Sequence, residues 1–592
     1  PGPRPSAEPA AATGSAPSEH GAASPAEQPA EGRTAAAPAL GRFLARAAAL
    51  TAALTALGAL LGLVRDQTIA RLFGAGSETD AFLIAWTVPE FASTLLVEDA
   101  MALILVPAFS LALSRRAAAA DRTAGQKDEQ DPVRDLLAAT LPRLAAVLAA
   151  VAVLALVSAP LLVRMLAPGL QDPELAVQCT RLTALSLFTF GITGYFSAAL
   201  RAHRRFAPPA AVYTAYNVGI IGTVLALHPV LGVRAAAAGV AVGSLLMVLV
   251  QLPSFLSVLP PRLAALGRRG PATGRPRPAR RNRRPAVRTA GLVGLGLLAP
   301  VVLFALSRQS QVLVERFLGS TLPAGAISHL NYAQKVAQMP MVLSLMVCTV
   351  TFPVVARAMA DGRREDARRR VEGDLALAAA IVLLGTAHVI ALAPQLIEIL
   401  FQRGAFTPAD TEATASVMRV YALGLLGHTL VGALARPFFS AARPTWFPAA
   451  AMALGLLVTV VAGTLAAPHW GIHGIAAANA LGITGCAWLL LRGLSTRVVP
   501  VDVAAAVGGL TRLVLAAVAA TAAGAATAAL LPSPWPAAAG GALAVTVTFA
   551  GAALLLRAPE VPRLLTTAGG AVTSTTRRAV KRALERKVRH VR

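Results

Sequence analysis

The stretch GLVRDQTIARLFGAGSETDAF, Gly62 to Phe82, decides how the chain is read. It joins the end of one long apolar segment to the start of the next and places Arg65, Asp66, Arg71 and Asp80 around the join. A charge near a bilayer centre costs about 2.5–3.5 kcal/mol on insertion scales, so such residues persist where they have partners or a task. Outward from this stretch, apolar runs of about 20 residues recur along nearly the whole chain, each enough to cross ~30 Å of hydrocarbon. The 592 residues are 56% hydrophobic and 14% charged, with a mean hydropathy of +0.63. A soluble protein of this length would need far more surface charge. The reading is an all-α polytopic membrane protein. No alternating ten-residue segments suggest a membrane barrel.

About fourteen helices are expected, near residues 43–64, 80–113, 135–167, 177–200, 208–228 and 235–259, then 290–318, 326–356, 374–400, 411–440, 446–467 and 471–492, and finally 504–531 and 536–556. The domain plan is a disordered tail over 1–41, a first lobe over 42–260, a basic linker over 261–289 and a second lobe over 290–495. Two further helices over 496–557 and a basic tail over 558–592 complete it. The first apolar segment is read as a retained helix, not a cleaved signal.

The net charge of +25 could suggest nucleic acid, but the arginines gather in loops and the C-terminal tail. Alternate gaps between helices hold Arg115 and Arg116, then Arg201, Arg204 and Arg205, then the linker, then Arg363 to Arg370, Arg443, and Arg492 with Arg497. By the positive-inside rule those gaps and both termini face the cytoplasm, with Arg403 the clearest exception. No nucleic-acid partner is expected. Cys179, Cys348 and Cys486 lie far apart in apolar segments, without metal-ligand or disulfide spacing. No metal or cofactor is expected.

An internal repeat is visible. Pro229-Val-Leu-Gly232 through Ala238 resembles Pro468-His-Trp-Gly471 through Ala477, and Ile69-Ala-Arg71-Leu-Phe-Gly74 resembles Val314-Glu-Arg316-Phe-Leu-Gly319. An even number of spans per copy implies two parallel six-helix lobes, with a site between them.

The chain lacks a nucleophile elbow, phosphate loop or HExxH motif, so a transporter is expected and not an enzyme. His388 and His428 read as hydrogen-bonded structural residues. The candidate groups of the first lobe are Arg65, Asp66, Arg71, Asp80, Glu90, Glu98 and Asp99. They read either as ion pairs at helix ends or as a cation for an anionic headgroup with acids that pair with it when the headgroup is absent. The second lobe offers Arg308, Glu315 and Arg316. Its next helix carries Asn331, Lys335 and Gln338 at i, i+4 and i+7, a polar stripe that reads as a wet cavity wall or as a clamp between helices. Lys335 stands out because the chain otherwise favours Arg, and an embedded Lys faces protein or water.

Gly62-Leu-Val-Arg-Asp66, Arg71-Leu-Phe-Gly-Ala-Gly76, Thr79-Asp-Ala-Phe82, Tyr332-Ala333 with Pro340, and Gln402-Arg-Gly-Ala-Phe406 together resemble the lipid II flippases of the multidrug/oligosaccharidyl-lipid/polysaccharide exporter superfamily. The resemblance covers roughly residues 43–556. It implies two six-helix lobes around a V-shaped cavity, plus two C-terminal helices bordering a lipid groove. It further implies transfer of undecaprenyl-diphosphate-linked peptidoglycan precursor from the inner to the outer leaflet of the bacterial plasma membrane by alternating access. On that basis Arg65, Lys335, Asn331 and Gln338 would bind substrate, and Asp80, Glu98, Asp66 and Glu315 would serve gating or charge balance. The partners would be the lipid-linked glycan diphosphate, the bilayer and cell-wall synthesis proteins. The chain departs from the family at Ala59, Ser93 and Thr94, where arginines are usual, and at Gln334-Lys335, where Asp-Arg is usual. The alternatives are export of another polyprenyl-linked glycan, or a non-transporting scaffold in envelope synthesis.

Overall fold

The computed structural model describes residues 36–122, 131–259, 287–344, 361, 363–440 and 445–557. The expected linker, most of both tails and Cys348 lie outside them. The described residues divide into two compact units, up to Leu50 and from Thr51 onward. In the first, residues 36–50 are helical; everything below concerns the second.

Each of the fourteen apolar runs is mainly helical over its described residues. Among the described residues, ten helices are long and apolar enough to cross a membrane, or eleven if the bent pair Pro408–Ala422 and Leu425–Phe439 counts as one span. The 51-residue helix Phe447–Arg497 is broken at Gly471 and carries two of the fourteen runs. In hydrocarbon a helix satisfies its own backbone groups, which is why this sequence has no cheaper way to cross. Large apolar side chains cover the outside, with Val230 81% exposed and Leu465 69% exposed.

The sequence repeat is carried into the backbone. Gly232 (φ 56°, ψ −140°) ends the fifth helix, Val212–Leu231. Gly471 breaks the eleventh from the twelfth with φ 54° and ψ −135°. A side chain would be strained in that region, so the two junctions require glycine. The third helix breaks before Ala159-Pro160-Leu-Leu and the ninth before Ala393-Pro394-Gln-Leu, each proline opening a new short helix. The fifth and sixth helices approach at Gly219 and Gly243, where an added Cβ at Gly219 would lie 2.6 Å from the Gly243 Cα. The eleventh and twelfth approach at Gly455 and Gly482, an added Cβ at Gly455 falling 2.8 Å from the Gly482 carbonyl oxygen. Small residues at such crossings let backbones meet closely in lipid.

Packing divides the helices into two sets. The second (Ser77–Ser93), third (Pro132–Val157), fourth (Pro173–Ala202), fifth and sixth (Arg234–Val258) pack on one another, and residues 51–73 of the first helix join them on the fifth, where Asn217 Nδ2 donates to the Gly58 carbonyl oxygen at 2.9 Å. The seventh (Val287–Gly319), eighth (Ala326–Ala337), ninth (Arg364–Ala391, then Ala393–Phe401), tenth (Pro408–Ala422, then Leu425–Ser440) and the long pair Phe447–Arg497 do likewise. The last two, Val503–Ala529 and Pro534–Leu555, pair with each other and lie on the ninth. The main contacts between the sets run from the eighth helix to the second and from the seventh to the second and to Ala159–Leu166.

Candidate functional site

The two sets meet tightly at one end. Asp80, in the first turn of the second helix, accepts hydrogen bonds from the Gly325 and Ser328 backbone N–H groups, 2.7 Å each, and from the Ser328 hydroxyl. Those donors sit at the N-terminus of the eighth helix, where unsatisfied N–H groups and the helix dipole favour a carboxylate. Beside it the Ala405 N–H donates to the Arg71 carbonyl at 2.8 Å. An added Cβ at Gly404 (φ +64°) would lie 2.3 Å from that same oxygen. The Gly74 and Ala405 backbones touch, as do Gly325 and Ala75. Arg71–Gly76 and Gln402–Phe406 therefore dock on each other. Gly169 N–H donates to Ser320 Oγ at 3.4 Å at the same end. The gaps 74–76, 167–172, 320–325 and 402–407 all gather here.

Below this seal lies a cavity of about 790 Å³ between the sets. Its wall reaches Val301, which lies about 27 Å along the seventh helix from Gly319 at 1.5 Å per residue. Four cationic side chains line it, Arg65, Arg308, Lys335 and Arg436, against two acidic ones, Asp66 and Glu90. Gln309, Gln311, Gln334, Gln338 and Thr94 add neutral polar groups, and Phe91, Phe304 and Phe439 add apolar ones. The second helix loosens into a π turn at Thr94–Asp99 beside this wall, and Gln309 Nε2 donates to Thr94 Oγ1 at 3.1 Å. π turns of this kind recur at functional sites.

At the sealed end of the cavity the charges interlock. Arg65 donates through Nε and Nη2 to Asp66 Oδ1 at 2.9 and 2.8 Å, and through Nη1 to Asn217 Oδ1 at 3.0 Å. Glu90 receives two cations of the other set, with Arg316 Nη2 at 2.7 Å and Lys335 Nζ at 3.8 Å. Arg316 also donates to Thr87 Oγ1 at 2.6 Å. Lys335 Nζ lies 4.0 Å from Asp66 Oδ2. Arg65, Asp66 and Arg316 are buried and paired; removing one member of such a pair costs about 3–5 kcal/mol. With excess cations, a low-dielectric wall and flexible neutral donors, the cavity can hold an anionic group that competes with Asp66 and Glu90.

A second polar cluster stands behind the wall. Asn479 Nδ2 donates to Glu315, and Asn479 Oδ1 lies 3.0 Å from His428 Nε2. Tyr421 Oη accepts from Gln334 and Gln338 at 2.8 and 3.2 Å and lies 3.4 Å from His428. His428 thus has the hydrogen-bonded surroundings expected of it, although it also lines the cavity. His388 Nδ1 lies 2.8 Å from the Leu384 carbonyl oxygen, and its Nε2 3.2 Å from that of Ala542.

Of the residues singled out in the sequence, Arg65, Asp66, Glu90, Arg308, Lys335 and Gln338 come together on the cavity wall, and Arg316 binds Glu90 beside it. Asn331 is buried off the cavity, so the stripe of the eighth helix is Gln334, Lys335 and Gln338. Asn331 precedes Lys335 by one full turn toward the sealed end, which sets it among packed side chains. Glu315 is buried with Asn479, and Asp80 is at the seal. The Glu98 side chain lies outside the described residues. The sequence reading gave no part to Trp86, Asn217 or Arg436. Trp86 precedes Glu90 by four residues, one turn along the same helix, and that spacing was the available signal.

A family model described as lipid II flippase MurJ matches residues 69–545. A probable lipid II flippase MurJ of Vibrio cholerae is 27% identical over 453 residues, 74% of this chain and 80% of that protein. The lipid II flippase MurJ of Burkholderia cenocepacia is 27% identical over 452 residues, 74% of this chain and 82% of its own length. Among solved structures, a lipid II flippase MurJ in an inward closed conformation superposes with a TM-score of 0.67 at 19% identity, covering 87% of this chain and 99% of that one. An inward-facing multidrug resistance transporter of the MATE family gives a TM-score of 0.58 at 14% identity over 75% of this chain and 98% of that one. The two superpositions bear on the fold alone.

Proposed function

The chain belongs to the lipid II flippase family, and from that premise we propose that it moves undecaprenyl-diphosphate-linked peptidoglycan precursor, lipid II, from the inner to the outer leaflet of a bacterial plasma membrane by alternating access. It is a multi-pass membrane transporter and not an enzyme. The observation that carries the reading is the cavity in which cations from both sets, Arg65 and Lys335, flank two carboxylates beneath a sealed end.

The diphosphate enters from the cytoplasmic side, where both termini and the Arg-rich loops lie, and the sealed end is periplasmic. The sets act as lobes over 42–260 and 290–495 joined by the basic segment 261–289, and residues 496–557 border the path of the lipid tail. A diphosphate brings about two negative charges, and Arg65 and Lys335 turn to it from Asp66 and Glu90. Each charge-assisted hydrogen bond so formed is worth about 1.5–3 kcal/mol. Gln334 and Gln338 supply neutral donors. Asp80 holds the periplasmic gate until loading repacks the lobes, and Glu98 and Glu315 balance charge. On release the carboxylates take the cations back, which resets the cavity. Outward movement of a net charge can draw on the membrane potential, about 2.3 kcal/mol per charge per 100 mV.

Depletion of the protein in a cell that depends on it tests the reading. Lipid II is expected to accumulate in the inner leaflet and to clear when the chain is restored. Accumulation of a different polyprenyl-linked glycan would reassign the cargo, and mislocalised synthesis proteins without build-up would favour a scaffold.

A further inference from the structure

Trp86 lies in the second helix, buried and just behind the cavity wall. Its ring is fixed from both sides: Phe82 stacks on it with centroids 5.6 Å apart, and its Nε1–H donates to Tyr216 Oη at 3.2 Å. Two cations rest against this one ring. The Arg65 guanidinium carbon is 4.4 Å from its centroid and the Lys335 ammonium 5.0 Å. Both distances fall within the ~6 Å over which the electron-rich face of an aromatic ring attracts a cation, and indole is the strongest such face. Arg65 comes from the first helix and Lys335 from the eighth, so one ring gathers cations from both sets.

The two cations are held differently. Arg65 is fixed by short hydrogen bonds to Asp66 and Asn217. Among the described residues Lys335 makes no contact to a carboxylate shorter than 3.8 Å; it is held by the field of Asp66 and Glu90 and by the ring. A lysine so held is near its partner yet able to swing toward an anion without first breaking a short bond. Asp66 lies beside both cations and lowers their repulsion, and the ring adds an attractive face that an ordinary apolar side chain lacks. A purely space-filling core residue would not explain why both cations meet this ring.

We propose that Trp86 is a positioning residue that gathers Arg65 and Lys335 into a single two-cation clamp for the diphosphate of the cargo. The proposal rests on the flippase reading above. It makes Trp86 a determinant of diphosphate affinity although it does not line the cavity, and it makes the indole a reporter of loading, because a diphosphate bound by cations that stay on the ring brings negative charge beside the indole. Trp446, Trp470, Trp488 and Trp535 are 41–69% exposed, away from this cavity.

The test uses the full chain in lipid nanodiscs with farnesyl diphosphate as probe, comparing wild type, Trp86→Phe and Trp86→Leu by calorimetry and by tryptophan emission. Trp86→Leu is expected to weaken binding on the order of tenfold, about 1.4 kcal/mol, the size of two modest cation–π contacts. Trp86→Phe, which keeps a weaker face, falls between. Wild-type emission changes on loading, and Trp86→Phe binds without that change. Equal affinity in wild type and Trp86→Leu overturns the proposal and leaves the flippase reading standing. Equal loss in Phe and Leu also overturns it, because shape and not the aromatic face would then matter. A wild-type chain that binds no diphosphate overturns the flippase reading itself, and the clamp with it.

Discussion

Replacing Asp80 with Asn should loosen the sealed end by an amount that follows from its bonds. The carboxylate accepts from the Gly325 N–H on one oxygen and from the Ser328 N–H and hydroxyl on the other. An amide keeps one acceptor oxygen and turns an NH₂ group toward the second set of donors. Oriented to keep Ser328, Asp80→Asn loses the Gly325 bond and faces donor against donor. One charge-assisted bond is worth about 1.5–3 kcal/mol, so the ratio of sealed to unsealed molecules should fall about 10- to 150-fold. The neighbouring contacts of Arg71 with Ala405 and of Gly169 with Ser320 remain, so the seal is weakened and not abolished. The assay is the labelling rate of a single cysteine placed at Ala75, which abuts Gly325, in a chain with Cys179, Cys348 and Cys486 replaced, using a thiol reagent that cannot cross the membrane. The rate should rise in Asp80→Asn in proportion to the unsealed population. If the variant is folded and labels at the parent rate, the carboxylate does not hold this end and the reasoning fails.

Two further outcomes are expected. Gly219→Val forces a Cβ to 2.6 Å from the Gly243 Cα, so the fifth and sixth helices must part, and unfolding in detergent should shift by at least about 1–3 kcal/mol, read as a lower Tm. Glu90→Gln removes the carboxylate that Arg316 and Lys335 share; lipid II should bind more tightly, by up to about tenfold, while flipping slows because the cations lack an acid to return to, checked by equilibrium binding against transport rate.

Much of the architecture was legible because membrane solvation leaves few choices. A run of 20 apolar residues has to be helical, and the repeated Pro-x-x-Gly at 229–232 and 468–471 already marked the junctions where Gly232 and Gly471 take positive φ. The single apolar run at 135–167 concealed a break at Ser158, visible afterwards from Pro160, because composition does not report where a helix bends. The site was legible in part. Arg65, Asp66 and Lys335 stood out because a charge is rare in such segments and needs a reason. The partners that organise them did not, since Trp86, Asn217 and Thr87 are ordinary residues of apolar helices until the fold brings them to the charges. Helical spacing gives Asn331 a face but not what packs against it, and the residue lies buried off the cavity. The docking of Arg71–Gly76 on Gln402–Phe406 gives a physical reason for two motifs that the sequence offered only as a resemblance: Gly404 passes where a side chain would strike the Arg71 carbonyl.

The central claim is that this chain carries a lipid-linked diphosphate across a bilayer on Arg65 and Lys335. The most direct measurement is transfer of lipid II between leaflets of proteoliposomes containing the purified protein, with wild type beside the double variant Arg65→Ala, Lys335→Ala. Losing two charge-assisted contacts of about 1.5–3 kcal/mol each should cut transfer at least 100-fold, while wild-type vesicles equilibrate the lipid between leaflets. Transfer by the double variant at the wild-type rate, or no transfer by the wild type under a membrane potential, would contradict the account.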